Sequence, residues 1–291
     1  MVRVFRLAYV HFGCTDVSAM VRYYTEVLGL SLTEEEGGRA YLSTAFDHHN
    51  IILSPSSEPG LKGFGLQLAP DLSAAEAHAA LQRMGIAAEM KADSLPAIPE
   101  IVQFTDMDGF EVHLFSQMEA TAPGFRSEGI VPNKVGHLSL RVRDAKRSVE
   151  YYKQFGFVNT DWIESFFGFM TCNRDHHVLN FCTSDRKGMH HLAFELRDYS
   201  HLVRSMDYLS KHEIPVLWGP SRHGAGHNIA TYHRDPEGNM IELFTDADVF
   251  IPELNMFEPR PWHETIPQRP RVWGTDECIT RWGTAFEEAL V

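Results

Sequence analysis

Short runs of alternating apolar and polar residues recur along this chain, and four longer stretches carry a helical period instead. A period of two sends alternate side chains to opposite faces of a strand. In VGHLSLRV, Leu138, Leu140 and Val142 share one face, and His137, Ser139 and Arg141 share the other. In MHHLAFEL, Leu192, Phe194 and Leu196 lie with His190, opposite His191, Ala193 and Glu195. In NMIELF, Ile241 and Leu243 flank Glu242. Helical periods cover about 16–28, 73–84, 144–155 and 198–212, and strand-like runs fill most of the rest. Asp16 and Asp144 stand where a carboxylate can cap the first free N–H groups of a helix, and Gly29 and Gly156 fit left-handed stops.

The two halves repeat each other at an offset of 127 to 129 residues. DVSAMVRYY from Asp16 pairs with DAKRSVEYY from Asp144, Asp47-His48-His49 with Asp175-His176-His177, and the segment holding His113 with that holding Glu242. Each half reads as strand, helix, three short strands, then the same again. An internal repeat of this kind decides architecture. The reading predicts an α+β chain with a first domain at 1–121, a linker at 122–133 rich in Pro, Gly and Ser, a second domain at 134–246 and a tail at 247–291 ending in a short helix, TAFEEAL.

The polar faces of three strands hold His137, His191 and Glu242. On a curved sheet these groups converge, and two imidazoles with one carboxylate suit Fe(II) with open positions for substrate and oxygen. At the corresponding places the first half has Tyr9, Phe64 or Gly65, and His113, a poor donor set. The first half therefore reads as structural and the second as catalytic. Eleven of the sixteen histidines follow residue 130, which agrees.

The net charge of −13 and the lack of a Lys/Arg run argue against nucleic acid or an anionic membrane as partner. Cys14, Cys172, Cys182 and Cys278 show no CxxC spacing and read as reduced thiols, and the chain opens directly as a strand. A cytoplasmic enzyme is expected.

His223 followed by Tyr232-His-Arg-Asp235-Pro-Glu-Gly238-Asn-Met-Ile-Glu242 resembles the type I extradiol ring-cleavage dioxygenases of the vicinal oxygen chelate superfamily. The likeness covers roughly residues 3–246. It implies two tandem domains, each of two βαβββ modules forming a half-open barrel, with the metal only in the second. It implies His137, His191 and Glu242 as ligands of Fe(II), with Mn(II) an alternative. It implies His177 as the acid–base histidine, Tyr232 as the donor to a substrate oxygen and His223 as a lining residue. Small-molecule catechol and O₂ are then the partners, the product is a hydroxymuconic semialdehyde, and a homo-oligomer is expected. A glyoxalase-like isomerase or a metal-free binding protein would share the fold, but the first would draw ligands from both halves.

From the residues alone, His176-His177 also reads as a surface pair, since His48-His49 recurs in the other half. His190, His201, His212, His233 and His263 read as structural or surface residues. Phe169 is expected to wall the pocket. Arg269 and Arg271 in the tail resemble the arginine-bearing lid of homoprotocatechuate-cleaving relatives. Trp218, however, stands where those relatives carry a second carboxylate-binding arginine. The expected substrate is an alkyl- or halogen-substituted catechol, met by Phe169 and Trp218, with 3,4-dihydroxyphenylacetate as the alternative.

Overall fold

The computed structural model describes residues 2–283. The expected TAFEEAL helix lies outside the described residues. In the first half the elements are β1 (Val4–Cys14), α1 (Val17–Arg22), β2 (Ser31–Glu36), β3 (Arg39–Ser43), β4 (Ile51–Pro55), β5 (Gly60–Leu68), α2 (Ala74–Arg83), β6 (Ala88–Leu95), β7 (Ile98–Thr105) and β8 (Glu111–Phe115). The second half repeats them as β9 (Lys134–Val142), α3 (Ala145–Tyr152), β10 (Val158–Ile163), β11 (Phe167–Thr171), β12 (Leu179–Thr183), β13 (Gly188–Glu195), α4 (Tyr199–Lys211), β14 (Trp218–Arg222), β15 (Ile229–Arg234) and β16 (Met240–Thr245).

Strand order in the first sheet is β2-β3-β4-β1-β5-β8-β7-β6, and in the second β14-β15-β16-β13-β9-β12-β11-β10. Each sheet is thus two βαβββ modules joined side by side and curled into a half-barrel, an α+β fold as the repeat predicts. The second sheet gains an edge strand that pattern reading left as loose tail. Val272–Trp273 pairs parallel with β10, placing Trp162 beside Val272. Contacts divide the chain into two compact units. Of the described residues, one holds 2–135 with Gln154–Gly156 and Asp235–Asn239, and the other holds the rest.

The helices begin where carboxylates cap them. Asp16 accepts from the Ala19 N–H at 2.9 Å, and Asp198 from that of His201 at 2.7 Å. Ser73 and Glu76 form a reciprocal capping box at α2. Gly29 (φ +76°) and Gly156 (φ +84°) take the left-handed conformation that glycine enters at no steric cost. On β9, Leu138, Leu140 and Val142 are fully buried with Val149 and Tyr152 of α3 and Phe181 of β12. Each such side chain contributes about 1.5–3 kcal/mol by leaving water. That burial fixes the register, and with it the face that carries His137.

Candidate metal centre

β9 and β13 are neighbours at the centre of the second sheet, and β13 pairs parallel with β16, setting Ala193 opposite Glu242. His137 Nε2 lies 3.0 Å from His191 Nε2, and Glu242 Oε2 lies 3.1 Å from each. All three side chains are buried. The three donors thus form a nearly equilateral triangle. Adjacent donors on an octahedral ion with bonds of roughly 2.1 Å stand roughly 3.0 Å apart, so the residues present fit one divalent cation. Their protonation also fits. Burial lowers the pKa of His137 and favours the neutral imidazole. Burial acts to raise Glu242, but its contacts with His137 and then His191 outweigh this and hold it well below the usual carboxylate range. A metal requires neutral imidazole and ionised carboxylate.

Outer contacts aim these donors, and most were invisible in the sequence. Asn228 Nδ2 donates to Glu242 Oε1 at 2.9 Å, and the Tyr232 hydroxyl to Oε2 at 3.0 Å. His190 Nδ1 lies 2.7 Å from His191 Nδ1. His190 is buried and lines the cavity in front of the triad, so the surface half of its expected reading fails. No signal separated it from the other histidines, because it shares a strand face with apolar residues.

His223 Nδ1 donates to the Ile279 carbonyl at 2.7 Å, so in the neutral ring Nε2 carries the lone pair. The single Tyr232 proton is therefore offered to Glu242 Oε2 or to His223 Nε2, which lies 3.1 Å away. Burial, and then Glu242, raise the Tyr232 pKa well above that of a free phenol, so it remains a donor. His177 is buried, with its ring centroid 4.1 Å from that of His137. Its neighbour His176 is buried as well, so the surface reading of the pair fails.

The cavity before the triad measures about 230 Å³. His137, His177, His191, His223, Tyr232 and Glu242 line it, together with the apolar side chains of Ile163, Phe166, Phe167, Phe169, Ala225 and Ile279. Phe169 is among the residues that line the cavity. Trp218 is not. It stacks behind His223 at 5.1 Å and 13°, and so supports that ring without reaching the cavity. Arg269 and Arg271 do not reach it either. Arg269 donates to the Leu254 and Asn255 carbonyls, and the Arg271 guanidinium lies 3.4 Å over the Trp273 ring.

A second cluster of metal-binding residue types is a hydrogen-bonded clasp. Asp248 accepts from His227 Nδ1 at 2.7 Å through one oxygen and from His263 Nε2 at 2.8 Å through the other. It fixes the ring of His227, the residue before Asn228 in the chain.

Comparison with known proteins agrees with this geometry. The model of the Glyoxalase/Bleomycin resistance protein/Dioxygenase superfamily matches residues 6–114 and 134–243. A 2,2',3-trihydroxybiphenyl dioxygenase of Sphingomonas paucimobilis is 27% identical over 92% of this chain and 96% of its own length. A metapyrocatechase of Geobacillus stearothermophilus is 23% identical over 98% and 92%. The homoprotocatechuate 2,3-dioxygenase of Brevibacterium fuscum, solved with 3,4-dihydroxyphenylacetate, superposes with a TM-score of 0.85 at 20% identity, covering 99% of this chain and 91% of that one. At that identity the likeness speaks for the fold. The chain belongs to the Glyoxalase/Bleomycin resistance protein/Dioxygenase superfamily and, within it, to the extradiol ring-cleaving dioxygenases.

Proposed function

We propose that this extradiol dioxygenase cleaves a catechol whose substituent is uncharged and apolar, such as an alkyl or halogen group, in preference to one carrying a carboxylate. One observation carries the reading: among the described residues, neither Lys nor Arg lines the cavity. A carboxylate placed against Phe166, Phe167 and Ile163 would lose its hydration without a charge partner, at a cost of several kcal/mol. The trihydroxybiphenyl named for the Sphingomonas relative is in keeping with this.

His137, His191 and Glu242 would hold a divalent Fe or Mn ion, which their donor types alone do not distinguish. Such an ion, when bound, supplies open positions for the two catechol oxygens and for O₂ and moves electron density between them. The remaining work falls to the chain. Tyr232 holds a substrate oxygen by its hydroxyl, which burial keeps protonated. His177 takes the proton of the substrate hydroxyl and returns it after oxygen has added, so that no net proton is consumed by the protein. The aromatic wall excludes water from the reacting centre.

The test is oxygen uptake by the Fe(II)-loaded protein with 3- and 4-methylcatechol, 4-chlorocatechol and 3,4-dihydroxyphenylacetate. A higher kcat/KM for the uncharged catechols is expected. A clear preference for the acid would overturn the substrate reading, and no uptake with any of them would overturn the reaction.

A further inference from the structure

A chain of hydrogen bonds runs from the acid–base histidine to the edge strand of the tail. His177 Nδ1 lies 2.7 Å from His176 Nδ1, and His176 Nε2 lies 3.0 Å from Asp161 Oδ2. Asp161 in turn accepts from Trp273 Nε1 at 2.8 Å and from the Arg271 backbone N–H at 2.7 Å. Asp161 and His176 are buried. We infer that Asp161 and His176 are positioning residues that fix the tautomer of His177, leaving its Nε2 as the lone pair presented to the substrate.

The tautomer follows from what each atom can do. An ionised carboxylate only accepts, so the proton on His176 sits on Nε2. The neutral His176 ring then offers a lone pair at Nδ1, and the contact with His177 requires His177 to carry its proton on Nδ1. Nε2 of His177 is left without a proton, which is the form a general base needs. When it takes the substrate proton, the resulting imidazolium still donates from Nδ1 to His176, and Asp161 stabilises the added charge. The two tail donors hold the carboxylate so that only one lone pair faces His176.

The internal repeat provides a control within the same molecule. Glu34 occupies in β2 the place of Asp161 in β10: each follows a bulge and faces Tyr41 or Phe169 on the next strand. Glu34 Oε2 lies 3.1 Å from His48 Nε2, and His48 Nδ1 lies 2.9 Å from His49 Nδ1. The first-half chain therefore has the same connections. It ends differently, because His49 packs against Tyr9 and Tyr41 at 5.0 and 5.2 Å, and its Nε2 is buried without a hydrogen-bond partner. His177 lines the cavity instead. The fold supplies the chain in both halves, and only in the second does it end where a substrate can be met.

The inference rests on His177 as the acid–base group, and the test separates the two. Nitrogen-15 NMR of the full chain loaded with diamagnetic Zn(II) reads the His177 tautomer directly. Wild type should show the proton on Nδ1, and His176→Phe should shift it toward Nε2. In the Fe(II) form, His176→Phe should lower kcat by about 10²- to 10⁴-fold, the scale of lost general acid–base catalysis, with KM and iron content close to wild type. His48→Phe removes the equivalent ring from the first half and should leave kcat unchanged. If His176→Phe does not fold, Asp161→Asn carries both measurements. A wild-type proton on Nε2, or equal losses of kcat in His48→Phe and His176→Phe, overturns the inference. Full kcat in His177→Ala would instead remove His177 from the reaction, while the tautomer measurement would still decide what Asp161 and His176 do.

Discussion

The Tyr9 ring lies across Gly65 so closely that a Cβ there would meet Tyr9 Cε1 at 2.2 Å. Tyr9 is the counterpart of His137, and its hydroxyl lies 2.7 Å from Nδ1 of His113, the counterpart of Glu242. In the first unit, phenol and imidazole satisfy each other where the second unit gathers three donors. Register also corrects one expectation. Gly65 pairs with His113 as Ala193 pairs with Glu242, so Gly63, not Phe64 or Gly65, stands at the place of His191. Glycine offers no donor, and the contrast between the units is sharper than the sequence alignment made it.

This packing makes Gly65→Ala informative. The added methyl must displace a ring that is fully buried and hydrogen-bonded. Overpacking of this kind typically costs about 1–3 kcal/mol. Urea denaturation should show that loss, and combining it with Tyr9→Ala should cost less than the two separate losses together, because the clash disappears with the ring. Strict additivity would mean that Tyr9 and Gly65 do not meet.

Removing a donor from the triad should abolish metal retention and spare the fold. The core of β9 lies on its other face, at Leu138, Leu140 and Val142. His137→Ala, His191→Ala and Glu242→Gln are each expected to purify folded and nearly metal-free by elemental analysis. A chelator should lower the melting temperature of wild type, since an ion present at about 100 times its Kd adds about 2.7 kcal/mol. The same chelator should leave the variants where they were. Full iron occupancy in Glu242→Gln would exclude that carboxylate as a ligand.

Acid should destabilise the metal-free chain through histidines buried in neutral form. Burial lowers His233 to about 3, and lowers His177 and His190 well below the ordinary value. The unfolded imidazole titrates near about 6.5. Below that pH the unfolded chain binds a proton that the native ring refuses, so this contribution is complete above about 6.5 and falls by about 1.4 kcal/mol per pH unit for each such group. Asp235, raised by burial to about 6, works in the opposite sense. Comparison with His233→Gln isolates one group. Its unfolding free energy between about pH 6.5 and 5 should decline less steeply than that of wild type, by about one proton's worth. Parallel slopes would show that His233 is protonated in the native chain.

What could be read beforehand was what periodicity and repetition encode. His137, His191 and Glu242 stand out because each sits on the polar face of an alternating strand, and because the other half lacks the set. The capped helices were visible for the same local reason. Asp161, Asn228 and His190 were not, since their roles depend on strands distant in sequence meeting at a particular register. Asp161 gains its meaning from His176, fifteen residues away, and from Trp273, 112 residues away. Trp218 was misplaced because an alignment position says nothing of which side of His223 the indole takes.

Asn228 is the sharpest case of a residue that only the structure reveals. Its amide donates to the Glu242 oxygen that points away from the two imidazoles, while Tyr232 donates to the oxygen that faces them. Without Asn228 the buried carboxylate would retain its charge but lose the contact that holds Oε2 toward His137 and His191. Loss of such an outer contact typically weakens metal affinity about 10–100-fold. Asn228→Ala should therefore bind Fe(II) with a Kd raised by about that factor in competition with a chelator, while keeping a near-wild-type melting temperature when metal-free. Activity should return at saturating Fe(II) if Asn228 serves only to orient Glu242. Unchanged affinity would mean that the strand pairing of β16 and the Tyr232 hydroxyl aim the carboxylate without Asn228.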